Sequence, residues 1–145
     1  EAAQALIKRC YKSANTYLLA HGGTLYPDTE QTLNVLKNRY SLYIIGYCDE
    51  YLSAFLDYHD LRKYFDGFET HSRTGRTKAE MIRALMKRHH LTKAVYVADT
   101  DADRASADTV GIPFVYAAYG FGKVRGYSAK INSPSEIIAA ADNLL

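Results

Sequence analysis

The sequence predicts an α/β fold, a doubly wound parallel sheet with helices on both faces. Three short apolar runs, Leu42 to Ile45, Ala94 to Ala98 and Phe114 to Ala117, have the length and continuity of strands buried on both sides. Segments of helical periodicity lie between and around them. The order strand, helix, strand, helix, strand requires parallel pairing with right-handed crossovers.

The elements follow in chain order. From Ala2 to about Leu19 the apolar positions Leu6, Cys10, Ala14, Tyr17 and Leu18 recur at helical spacing until Gly22 and Gly23 stop the pattern. Pro27, Asp28 and Thr29 open a second helix, with Leu33 and Leu36 on its apolar side. The strand ending at Gly46 follows, and then a helix over Asp49 to Tyr58 that sets Leu52, Phe55 and Leu56 on one face. Gly67 to Thr70 reads only as a short glycine-bounded segment. Thr77 and Glu80 have the spacing of a capping box ahead of Ile82, Leu85 and Met86. Beyond the strand of Val95 and Val97, a helix over Asp101 to Val110 closes on Gly111. Ser133, Pro134 and Glu136 are a cap, a first-turn proline and a back-reaching acid for a last helix through Ile137, Ile138 and Ala141.

Composition narrows the function. With 145 residues, 48% apolar and 23% charged, the chain is one ordinary globular domain rather than a disordered tail or a fibre. A net charge of +2 with interspersed signs leaves no basic stripe for a phosphate backbone, so nucleic acid is not an expected partner. No apolar run reaches the ~20 residues of a membrane helix, and the N-terminal stretch lacks the layout of a signal peptide. Cys10 and Cys48, far apart and without a CxxC pair, suggest neither zinc nor a disulfide framework, which fits a reduced, cytoplasmic setting.

In a doubly wound sheet the chemistry gathers beyond the carboxyl ends of the strands, here around Gly46 to Cys48 and Asp99 to Asp103. Asp99, Asp101 and Asp103 could hold a hard cation such as Mg²⁺ through carboxylate oxygens, or Asp99 or Asp101 could simply cap the helix that follows. Lys78 stands just inside a helix N-terminus, where the helix dipole disfavours a cation. Either it faces an anion or it is one more solvated lysine. His89 and His90 read as a solvated helix end, and Gly120 to Gly122 as a tight turn, since neither carries a metal or phosphate motif.

Several weak motifs occur in a telling order: Leu42 to Leu52, Tyr64 to Phe68, Gly75 to Glu80, Val95 to Thr100, Asp103, and Gly111 to Phe114. Together they resemble the haloacid dehalogenase-like (HAD) hydrolases, and among them the small phosphatases that include phosphoglycolate phosphatases. The resemblance implies a Rossmann-like core with Asp99 as a Mg²⁺ ligand, Asp103 as a supporting carboxylate that shares in metal binding and catalysis, and Lys78 as the neutraliser of phosphate charge. It implies a small phosphorylated metabolite as substrate. It also implies an aspartate nucleophile that forms an aspartyl-phosphate, with a second aspartate two residues on as general acid and base.

That Asp-x-Asp pair belongs after the family's first strand, and none precedes Leu25. Asp101-Ala102-Asp103 has the right letters at the wrong place. Residues 1–24 are therefore expected to be a remnant of the helical cap and residues 25–145 a core lacking its first strand, the C-terminal portion of an enzyme and inactive alone. An N-terminal fragment or self-association would then complete the sheet, because the absent strand leaves two inner edges unpaired. Gly46 and Tyr47 stand where the family has a phosphate-binding Ser or Thr, usually followed by Asn, so only the Gly46 amide could donate; Ala98 replaces a common glycine. These departures motivate the alternative of a catalytically silent HAD-like binding module. A receiver-like signalling domain fits less well, since Lys78 precedes a helix rather than ending a strand.

Overall fold

The computed structural model describes residues 2–145, apart from the side chains of Lys8, Tyr11 and Asn15. Helix α1 (Ala2–His21) leads to α2 (Thr29–Lys37), strand β1 (Tyr43–Gly46) and α3 (Asp49–Tyr58). Then come β2 (Gly67–Thr70), the short α4 (His71–Thr74), α5 (Lys78–Arg88), β3 (Tyr96–Ala98), α6 (Asp101–Val110), β4 (Phe114–Ala117), β5 (Ala129–Ile131) and α7 (Ile137–Leu144). Every strand pairing is parallel. β1 pairs with β2, placing Ile45 opposite Glu69, while β3 and β5 flank β4, placing Val97 opposite Val115 and Tyr116 opposite Lys130.

The sheet is divided into a two-stranded and a three-stranded part, with no strand of the described residues between β1 and β3. Strand β4 shows how the second part is covered. Val115 and Ala117 pack with Ile131 and Ala140 of α7, and Phe114 and Tyr116 pack with Ala107 of α6 on the opposite face. All four β4 residues are buried, as an apolar run with helices on both sides demands. On the other part, Ile44 joins Leu33, Leu56, Leu61 and Tyr64 in a separate core cluster. Helix α5 reaches both β1 and β2 and packs on α6, while α2 packs on α7, so two helix pairs hold the parts together.

Local signals act largely as expected. The Thr77 side chain accepts the Glu80 amide, and the Glu80 carboxylate takes the Thr77 amide at 2.8 Å, completing the capping box of α5. Gly111 closes α6 in the left-handed conformation with φ 82°, which costs glycine little. Three details differ. Helix α2 begins at Thr29, after a left-handed Asp28, with Pro27 in the preceding turn rather than at the first helical position. The last helix opens with a 3₁₀ turn, where Glu136 receives the Asn132 amide instead of that of Ser133. At the end of α5, His90 is exposed as expected, whereas His89 is half-buried with its ring against Tyr43 at 4.7 Å between centroids. Among the described residues no helix is long and apolar enough to cross a membrane.

Candidate functional site

The free edges of β1 and β3 border one cavity of about 760 Å³. Its walls are apolar, with Ile44 and Ile45 from one edge, Val95 and Val97 from the other, and Leu36 and Leu85 from the covering helices. Lys78, Asp99 and Asp103 also line it. All three stand beyond the carboxyl end of β3 or at the start of a helix, where a doubly wound sheet assembles its ligand sites.

Asp103 accepts the most side-chain hydrogen bonds of the three. Its side chain is 3% exposed and lies in the first turn of α6. One carboxylate oxygen, Oδ1, accepts from the Lys78 ammonium and from the Tyr96 hydroxyl at 2.9 Å. The other, Oδ2, accepts from the Thr100 hydroxyl at 2.5 Å, while Thr100 Oγ1 in turn caps the helix by taking the Asp103 amide at 3.2 Å. Burial by itself would push this carboxyl up, but the hydrogen bonds from Lys78 and Thr100 and the charge of Lys78 outweigh it. The net effect holds Asp103 below its ordinary value. Burial first, then the neighbouring Asp103 carboxylate, pushes the Tyr96 phenol far above its usual range, so it is a permanent donor at neutral pH.

Lys78 therefore faces an anion, the buried Asp103, and is not a lone solvated lysine. The helix dipole that works against a cation at this place is offset by that pairing. Asp99 and Asp101 do not cap α6, since Thr100 fills that role. The three aspartates point to different partners. Asp101 Oδ1 takes the Arg125 amide at 3.2 Å, and Asp99 Oδ2 takes the amides of Phe121 at 2.8 Å and Gly122 at 3.2 Å. Asp99 Oδ1 accepts no hydrogen bond among the described residues.

Gly46 ends β1 as expected. A Cβ there would meet Leu52 Cδ2 at 3.4 Å and Thr70 Cγ2 at 3.6 Å, both ordinary contacts. Tyr47, 74% exposed, stacks on His71 at 5.0 Å. Tyr96 and Thr100 are the site residues that the motif reading missed. The signal for Tyr96 was present, since a tyrosine inside a buried strand needs a partner for its hydroxyl.

Mg²⁺ commonly takes one or two carboxylates and completes its octahedron with water and substrate phosphate. A single free carboxylate oxygen on Asp99, in the cavity that Lys78 also lines, fits part of such a shell. Among the described residues no three His, Cys, Asp or Glu side chains converge to hold a metal by themselves.

Residues 1–117 match the family model of the haloacid dehalogenase-like hydrolases. Among solved structures, a HAD-superfamily hydrolase of Geobacter sulfurreducens aligns with TM-score 0.72 and 23% identity, over 80% of this chain and 60% of its own. A HAD phosphatase of Thermococcus onnurineus aligns with TM-score 0.77 and 22% identity, over 88% of this chain and 64% of its own. A structure described as a predicted phosphoglycolate phosphatase, from Haemophilus somnus, aligns with TM-score 0.76 and 18% identity, over 81% and 57%. The chain thus spans about three-fifths of the length of these proteins, and at such identities the likeness shows the fold. No curated protein matches the chain. The family match over most of the sequence agrees with the parallel strands and flanking helices of the fold, and the chain belongs to the haloacid dehalogenase-like hydrolases.

Proposed function

We propose that this chain is the C-terminal portion of a Mg²⁺-dependent phosphatase of small phosphate monoesters, inactive until a further strand bearing Asp-x-Asp is supplied. One observation carries the reading: Lys78, Asp103 and Asp99 line a single, largely apolar cavity bordered by the unpaired edges of β1 and β3. A strand in that cavity would deliver the residues at its carboxyl end to these three. Its first aspartate attacks phosphorus, the second protonates the departing alkoxide, and water then cleaves the aspartyl-phosphate.

In this scheme the Lys78 ammonium, held by Asp103, neutralises the negative charge of the phosphoryl oxygens. Tyr96 and Thr100 keep Asp103 in place. Asp99 would hold Mg²⁺ through Oδ1, with Asp103 supporting it, and the bound ion supplies further charge neutralisation at the phosphate. Gly46 contributes a backbone amide only. Lacking a hydroxyl donor there costs on the order of 10²–10³ in rate, so a slow enzyme is expected. Residues 1–24 are read as part of the cap over a core of residues 25–145. Helix α1 packs mainly on α3 and leaves Leu6, Ile7 and Tyr17 exposed, surface that a larger cap would cover. The setting is a cytoplasmic one and the partner a small phosphorylated metabolite, with no nucleic acid or membrane.

The test is Mg²⁺-dependent release of inorganic phosphate from a broad ester panel, with the chain alone and with an N-terminal HAD segment containing Asp-x-Asp. Activity is expected only in the combination, and Lys78→Ala or Asp99→Asn should lower it at least ~10²-fold. If the combined protein releases phosphate from no ester, the phosphatase reading falls. The silent binding module, which Gly46 and Tyr47 favour, then takes its place.

A further inference from the structure

We propose that the turn Tyr119 to Gly122 is a positioning element for Asp99, and that its two glycines and the Phe121 amide aim the free carboxylate oxygen at the cation. This rests on the reading of Asp99 as a Mg²⁺ ligand. The turn follows β4 and doubles back onto the end of β3. There the Phe121 and Gly122 amides both donate to Asp99 Oδ2, at 2.8 and 3.2 Å, and leave Oδ1 without a partner among the described residues.

The contact admits no side chain on the inner surface of the turn. A Cβ at Gly120 would lie 2.5 Å from Asp99 Cβ and Oδ2, and one at Gly122 would lie 2.1 Å from the Asp99 carbonyl oxygen. Neither glycine has a positive φ, so close approach, not backbone conformation, accounts for both. Phe121, between them, is 100% exposed, so the ring touches nothing and the residue acts through its amide. Two tyrosines brace the turn. The Tyr116 hydroxyl donates to the Gly122 carbonyl at 2.9 Å, and the Tyr26 hydroxyl to the Tyr119 carbonyl at 2.9 Å, with the Tyr26 and Tyr119 rings edge to face at 4.8 Å. A carboxylate with one oxygen tied by two amides cannot rotate freely, and only the other oxygen is left to ligate. Partners that orient a ligand in this way typically govern 10- to 100-fold in metal affinity.

The experiment is a calorimetric Mg²⁺ titration of the chain combined with its Asp-x-Asp segment. Phe121→Pro deletes the amide donor, and Gly122→Ala drives a methyl against the Asp99 carbonyl. Each is expected to weaken Mg²⁺ ~10- to 100-fold while Asp99→Asn abolishes binding. If wild type binds Mg²⁺ through Asp99 and both variants bind as tightly, the positioning role is overturned and the ligand assignment survives. If Asp99→Asn binds Mg²⁺ like wild type, both fall together. Should the turn variants fail to fold, amide hydrogen exchange decides. The Phe121 and Gly122 amides should be protected in wild type and lose that protection in Asp99→Ala, and unprotected wild-type amides would overturn the proposal.

Discussion

Asp103 couples the stability of this fold to the readiness of its site. Folding buries the carboxylate, yet Lys78, Tyr96 and Thr100 donate to it, and the net result is a folded-state pKa below the ordinary one. A carboxyl depressed on folding stabilises the protein above its unfolded value of about 4, and that contribution is lost as the pH falls through the folded value. Wild type should therefore lose urea resistance more steeply than Asp103→Asn as the pH falls to about 4 and below, and Asp103→Asn should be the less stable of the two at pH 7. Parallel acid limbs in the two proteins would show that other carboxylates set the acid response. The same network shows what residue-level reading can reach. The charge of Lys78 at a helix start left two readings open, an anion opposite it or plain solvation, and the buried Asp103 decides for the anion. The splitting of Asp99, Asp101 and Asp103 among three sets of partners was not legible, because it depends on where Arg125 and the Phe121 turn arrive from elsewhere in the chain.

Among the elements, those with strong local grammar were readable and those made by pairing alone were not. The capping box of α5, the Gly111 stop of α6 and the buried run of β4 each carry their own instructions. Strand β2 carries an acid at its centre instead of an apolar run, and β5 is the three residues Ala129, Lys130 and Ile131, so both exist by virtue of the neighbours they pair with. The acid of β2 has a cost that the structure answers. Glu69 is 2% exposed, meets Arg88 at 2.6 Å and Arg76 at 3.8 Å, and keeps Oε2 without a hydrogen-bond donor. A buried carboxylate is tolerated only while it is paired. Arg88→Ala removes the near partner and should cost about 1–3 kcal/mol in urea unfolding. Glu69→Gln in that background should restore much of the loss, since the stranded charge is gone. Equal stability of Arg88→Ala and wild type would mean that water already serves Glu69.

At the scale of the whole molecule, a cavity of about 760 Å³ lies where the sheet is divided. β1 and β3 are as apolar as β4, yet they are only half-buried whereas β4 is fully buried, and the difference is the cavity along their edges. Unpaired strand edges and bare apolar walls both favour occupation by an extended segment. Helices that cover the sheet require such a segment to be apolar on both sides. In the proposed enzyme this occupant is the strand that bears Asp-x-Asp, so completion of the fold and completion of the site are one event. A synthetic peptide rich in Val and Ile and ending in Asp-x-Asp should therefore raise the unfolding free energy of the chain, by about 2.7 kcal/mol at a hundred times its dissociation constant. A proline at the centre of the peptide should abolish the effect, because it removes a ladder donor. If peptide changes nothing but stability climbs with protein concentration, a second copy fills the gap, and activity would then have to be sought in the self-associated form.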